Sequence, residues 1–134
     1  MGNTQLFCFP FAGGNSYFYE SFREYLSCEI ELIPIELSGH GYRIMEQCND
    51  TMDKVVEDAY SEVSKHLKKD VPFVFFGYSM GTMICYELSL RLYDRLNIHP
   101  QHIFFAANTP PHICEDEPDC YNWDDQRFIE KIKE

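Results

Sequence analysis

An apolar run from Val71 to Phe76 ends in Gly77-Tyr78-Ser79-Met80-Gly81, and the residues after it have helical spacing. No other stretch of the chain limits its fold as tightly. A serine with glycine two residues to either side, at a strand-to-helix corner, is the nucleophile-elbow pattern G-x-S-x-G. The corner is so sharp that side chains at the flanking positions would collide, and glycine removes them. The Ser79 hydroxyl is then thrust off the sheet edge, at the N-terminus of a helix whose dipole favours developing negative charge. These are the requirements of acyl transfer.

The elements around the corner follow from periodicity and turn residues. Leu6 to Pro10 reads as a short buried strand that runs into the glycine-rich loop Pro10-Phe11-Ala12-Gly13-Gly14. Ser16 is the expected cap of a helix with Phe18, Phe22, Tyr25 and Leu26 on one face. Ile30 to Leu37 reads as a second strand, and Pro34 within it implies an edge position or a bulge. Ser38-Gly39-His40-Gly41 is a turn. Asp50 or Thr51 caps a helix whose stripe is Met52, Val55, Val56, Ala59, Val63 and Leu67. The third strand, Phe73 to Phe76, is continuously apolar, which suits a strand covered on both faces. A helix to about Arg95, a fourth strand from His102 to Ala107 and the loop Asn108-Thr109-Pro110-Pro111-His112 follow.

Strands alternating with helices in this way predict an α/β fold with a doubly wound parallel sheet and right-handed crossovers, in the strand order second-first-third-fourth. Residues 1–114 form this core. Residues 115–134 are acidic and loop-like, with Asp124 or Asp125 capping a last helix that carries Phe128, Ile129 and Ile132.

The net charge of −11, much of it in the last twenty residues, argues against nucleic acid or an anionic membrane as a partner. No apolar stretch approaches the ~20 residues of a bilayer-spanning helix. The N-terminus lacks a basic segment followed by an apolar one, so a cytoplasmic protein is expected. Six scattered cysteines contain no C-x-x-C pair, so they read as reduced thiols, and neither a metal nor a cofactor is expected.

In the expected strand order the first and third strands are neighbours at the topological switch point, where open α/β sheets bind ligands. The Phe11 loop then lies beside the elbow. One N–H of that loop and the N–H of Met80 form the expected oxyanion hole. Of five histidines, only His40 and His112 fall in loops after strands, on the side of the sheet where Ser79 is expected. His40 reads as a solvated turn residue, His112 as a pocket-lining or packing residue, and Arg43 as an exposed loop arginine.

Three segments together carry a family resemblance. Leu6-Phe7-Cys8-Phe9-Pro10-Phe11-Ala12-Gly13-Gly14, Ser38-Gly39-His40-Gly41-Tyr42-Arg43 and Gly77-Tyr78-Ser79-Met80-Gly81 resemble the type II thioesterases of nonribosomal peptide and polyketide synthesis. Pro110-Pro111-His112 is similar to the family's Ala-Pro-His stretch, and Trp123 to Glu134 to the first helix of its lid insertion. The resemblance implies an α/β-hydrolase fold, of which this chain is the N-terminal part, truncated before the last strands. It implies hydrolysis of acyl or aminoacyl thioesters on the phosphopantetheine arm of an acyl or peptidyl carrier protein, an editing reaction without a cofactor of its own. Ser79 matches the nucleophile, and Phe11 and Met80 match the oxyanion-hole N–H donors. Ala12, Tyr78 and His112 are the expected substrate-binding residues. The family usually has histidine where this chain has Tyr78. Its catalytic aspartate and histidine lie in its later part, and no residue here matches them, so the chain alone is expected to be catalytically incomplete. An open edge on the fourth strand would then invite self-association or a second chain. The elbow fits a serine esterase or lipase equally well, and a third reading is a non-catalytic binding domain that keeps a hydrolase-like pocket.

Overall fold

The structure, a computed structural model, describes residues 3–110, 113 and 122–133. Four parallel strands, β1 (Thr4–Phe9), β2 (Ile30–Pro34), β3 (Phe73–Tyr78) and β4 (His102–Ala106), form one sheet in the order β2-β1-β3-β4. The expected order is the observed one. Pro34 lies on an edge strand, where its missing N–H costs no central ladder bond.

The helices α1 (Met52–His66) and α2 (Met80–Leu96) cover one face. Thr51 caps α1 by accepting from the Lys54 N–H, and Val56, Ala59 and Val63 are its buried stripe. Helix α2 buries Ile84, Cys85, Leu88 and Leu92 and stops at Asn97, which is left-handed at φ 54°. Both helices pack on a T-shaped aromatic stack of Phe7, Phe9 and Phe75. A third helix, α3 (Asp125–Ile132), is capped by Asp124, whose carboxylate accepts from the Arg127 N–H.

The other face is covered by residues 16–24, and here the sequence reading needs correction. The segment is a 3-10 helix, capped by Asn15 rather than Ser16. Side chains three apart eclipse one another in a 3-10 helix. Ser16, Tyr19 and Phe22 therefore make the inward row; the helix ends at Glu24, and Tyr25, its C-cap residue, leaves the row and is 85% exposed rather than on the apolar face. Tyr19 and Phe22 pack on Cys8 and Phe76 of the sheet.

Arg43 is the second correction. It is no exposed loop residue: its side chain is 11% exposed. Its guanidinium donates to both Asp58 carboxylate oxygens at 2.7 and 3.0 Å, to Glu46 at 2.6 Å and to the Glu36 carbonyl at 2.9 Å. The Glu46 and Asp58 carboxylates hold its pKa above the ordinary arginine value. Helix α1 brings Asp58 over the turn after β2, a meeting that local pattern does not announce.

Cys8 and Cys85 are buried free thiols. Burial pushes the Cys8 thiol up to about 12 and raises Cys85 well above its usual value, so both are protonated and inert at neutral pH.

The two edges of the sheet differ. Edge strand β2 carries Pro34 and the Glu31–Lys68 ion pair, devices that discourage further pairing. Strand β4 carries Phe104 and Phe105 at 48% and 42% exposure, on opposite faces of the strand. Among the described residues, no helix is long and apolar enough to cross a membrane.

Candidate active site

Strand β3 delivers the chain to Ser79 at the C-terminal rim of the sheet, and α2 leaves from it. Ser79 has φ 52° and ψ −116°, a conformation that side-chain-bearing residues rarely adopt. Three sets of contacts hold it there. Its N–H donates to the Ala106 carbonyl at 2.8 Å, tying the corner to the end of β4. Its carbonyl accepts from the Thr82 N–H at 3.0 Å, the Thr82 hydroxyl at 2.7 Å and the Asn108 side-chain amide at 3.2 Å. The Asn108 amide also donates to the Thr82 hydroxyl at 2.8 Å. The Ser79 backbone is thus fixed through both of its polar groups. Its side chain does not cap the helix it precedes.

The glycines do what the pattern demands. A Cβ on Gly77 would lie 2.4 Å from the Gly81 carbonyl oxygen, and one on Gly81 would lie 2.3 Å from the Phe9 carbonyl oxygen. The second contact shows that the backbone after β1 passes directly against the first turn of α2. Phe11 follows two residues later. Its ring stands edge-on to Tyr78 at 5.9 Å and to Phe18 at 5.2 Å. The Phe11 loop and the elbow therefore meet, as the strand order required. The Gly14 N–H closes the loop on the Phe11 carbonyl at 2.9 Å, and the Tyr19 hydroxyl donates to the Phe9 carbonyl beneath it.

Ser79 and Met80 at the corner, with Phe11 and Tyr78 beside them, are thus brought together. Ala12 is exposed in the same loop. The Met80 side chain packs against the core while its backbone opens α2. His112 lies outside the described residues. Asn108 was not singled out from the sequence. It stands 29 residues from Ser79, in a loop whose only signal was its place after a strand beside β3. Among the described residues no histidine is hydrogen-bonded to Ser79: His40 Nδ1 lies 3.0 Å from the Ser38 carbonyl, and His99 Nδ1 lies 3.2 Å from the Pro100 carbonyl. His66 is exposed, and His102 opens β4 at the end of the sheet opposite Ser79. Among the described residues, no group of His, Cys, Asp and Glu is arranged to hold a metal ion.

Residues 4–134 match the thioesterase domain family. The chain belongs to this family. As a thioesterase-family chain it is 30% identical over 129 residues to the gramicidin S biosynthesis protein GrsT of Aneurinibacillus migulanus, covering 96% of this chain and 50% of that protein. It is 34% identical over 108 residues to the medium-chain S-acyl fatty acid synthase thioesterase of Anas platyrhynchos, covering 81% of this chain and 43% of that one. Its fold matches the crystal structure of ClbQ from the colibactin NRPS/PKS pathway with a TM-score of 0.88 and 32% identity, over 99% of this chain and 55% of ClbQ. The thioesterase-family chain spans about half the length of the curated relatives it matches. Its four-stranded parallel sheet corresponds to part of the α/β-hydrolase fold of its structural neighbours.

Proposed function

We propose that this chain carries the nucleophile half of a serine thioesterase site, which hydrolyses acyl or aminoacyl thioesters on the phosphopantetheine arm of a carrier protein. The observation that carries the reading is Ser79 at φ 52°, between Gly77 and Gly81, against the loop after β1. One relative is named a gramicidin S biosynthesis protein and another an S-acyl fatty acid synthase thioesterase, and these names support a thioester substrate from such synthesis.

In this reading Ser79 Oγ attacks the thioester carbonyl, and the N–H groups of Met80 and Phe11 receive the oxyanion. A base takes the serine proton and passes it to the departing sulfur as the C–S bond breaks. Water then cleaves the acyl-serine ester and frees the acid. Tyr78, Ala12 and His112 border the acyl group, and no cofactor takes part. No described histidine is hydrogen-bonded to Ser79. The base is the histidine of the family's later part, which no residue of this chain matches, as the family resemblance implies.

Thiol release from an acyl-pantetheine tests this. The 134-residue chain alone is expected to turn over at only a trace rate, since loss of triad members costs about 10⁴- to 10⁶-fold. Addition of the later part of a family relative, bearing its aspartate and histidine, is expected to restore turnover in the unmodified chain and not in Ser79→Ala. Robust Ser79-dependent turnover by the chain alone contradicts the missing base. Failure of every such complement favours a non-catalytic binding domain, and a large preference for the matching oxyester favours an esterase.

Among the described residues no strand pairs with the outer edge of β4, and that edge is the proposed site of pairing, with a second chain or a second copy. Light scattering is expected to find species larger than a monomer, and Phe105→Lys is expected to reduce them by charging the exposed face of the edge strand. A monodisperse, stable monomer counts against this.

A further inference from the structure

Glu36 is a charged residue at a position where strand periodicity gives no reason for one. It follows β2 on the rim that holds Ser79, between the buried residues Ile35 and Leu37, and is itself 1% exposed. Burying a carboxylate is costly unless donors surround it. Arg43 does not neutralise it: that guanidinium reaches only the Glu36 carbonyl and spends its other donors on Asp58 and Glu46. Among the described residues the carboxylate is met instead by Ser16. The Ser16 N–H lies 3.2 and 3.3 Å from its two oxygens, and the Ser16 hydroxyl donates to Oε2 at 2.7 Å.

Ser16 opens the 3-10 helix and closes the loop that begins at Pro10. A negative charge suits that helix N-terminus. On the other side of the carboxylate is the turn after β2. A Cβ on Gly41 would fall 1.9 Å from Oε2, so the turn is shaped around this carboxylate. The upstream end of the Phe11 loop is held by the contact of Gly81 with the Phe9 carbonyl and by the Tyr19 hydroxyl. Its downstream end is held by Glu36.

We propose that Glu36 is a positioning residue for the oxyanion hole: its carboxylate clamps Ser16 and thereby sets where the Phe11 N–H stands relative to Ser79. The inference rests on the acyl-transfer reading of Ser79. Glu36 touches no reacting atom and acts through the loop. Its effect belongs to the transition state, where the oxyanion forms, and not to capture of the substrate.

The test uses the full chain with Glu36→Gln, Glu36→Ala and Ser16→Ala. Two quantities are read. One is amide hydrogen exchange of residues 11–16, with β3 as the measure of global opening. The other is phosphonylation of Ser79 by an alkyl fluorophosphonate, with the later part of a family relative added to supply its aspartate and histidine, followed by peptide mass, with the limiting rate separated from the half-saturating concentration. Removal of one oxyanion donor costs ~10²–10³-fold, and a loosened donor about tenfold. Glu36→Ala and Ser16→Ala are expected to speed exchange at 11–16 about tenfold without changing β3. They are expected to lower the limiting rate about tenfold at an unchanged half-saturating concentration. Glu36→Gln keeps an acceptor oxygen and is expected to recover most of both. Should Glu36→Ala fail to fold, Ser16→Ala and Glu36→Gln carry the test. Unaltered loop exchange and an unaltered limiting rate would overturn the proposal, as would losses that merely track β3. If Ser79 of the unmodified chain takes no label even with the later part of a family relative, bearing its aspartate and histidine, added, the acyl-transfer reading falls and takes the positioning role with it, even where exchange still reports the clamp.

Discussion

Replacing Ser79 by glycine is expected to raise the melting temperature of this protein while removing all acyl transfer from it. At φ 52° and ψ −116° the serine side chain sits in a strained backbone, which costs about 1–3 kcal/mol. Glycine adopts that conformation freely but loses about 0.5–1 kcal/mol through the greater freedom of the unfolded chain. The balance is a gain of about 1 kcal/mol, or about 4 °C in a domain of this size. Ser79→Ala is the informative partner. It removes the hydroxyl and keeps the Cβ, so it is expected to lose the chemistry without the gain in stability. Thermal denaturation of the three proteins, with fluorophosphonate labelling as the chemical readout, checks both halves. A Ser79→Gly protein less stable than the parent by 1 kcal/mol or more would show that the corner holds no strain to release. Stability set aside for the nucleophile is the general pattern of strained active sites, where surrounding contacts enforce a geometry that the chain alone would not choose. Here those contacts are the Ala106 carbonyl, Thr82 and Asn108.

Gly81→Ala is expected to be among the most damaging single-methyl additions in the chain. The new Cβ meets backbone atoms, the carbonyl oxygen of Phe9 at 2.3 Å and of Pro10 at 3.1 Å, and no rotamer change relieves it. The first turn of α2 must move away from β1. Overpacking of this kind costs about 1–3 kcal/mol, against which better helix propensity returns at most about 1 kcal/mol. The functional loss is larger, because the displaced turn carries the Met80 N–H away from the Phe11 loop. A misplacement of about 1 Å costs on the order of 10²-fold in rate. Gly13→Ala is the control: φ is +74° there, but the space around the glycine is empty, so only backbone strain is added. Urea denaturation midpoints and Ser79 labelling rates rank the three proteins. A Gly81→Ala chain as stable and as reactive as the parent would refute the close approach of β1 and α2, and with it the shared site.

Much of this architecture is legible without coordinates because it is written in short-range terms. The Val71–Phe76 run, the glycine spacing around Ser79, Pro34 on an edge and the Thr51 cap each follow from steric or hydrogen-bonding rules that act over a few residues. The helix after β1 misled the reading for a reason of the same scale. Phe18, Phe22, Tyr25 and Leu26 fit an α-helical stripe, whereas the sheet selected the row Ser16, Tyr19, Phe22, whose period of three belongs to the tighter 3-10 helix. Arg43 looked exposed because its turn is polar. It is covered because α1 lays Asp58 and Glu62 across it from 15 and 19 residues away.

Short-range signals place Ser79 on a sharp corner at the switch point of a parallel sheet, because strand, glycine and helix patterns are local and their order fixes the crossovers. What holds that corner and its neighbouring loop emerges from packing alone. Asn108 on the serine carbonyl and Glu36 under Ser16 are side chains from other strand ends. Their role depends on which residues a twisted sheet brings to the same rim, a distance that spacing along the chain does not encode.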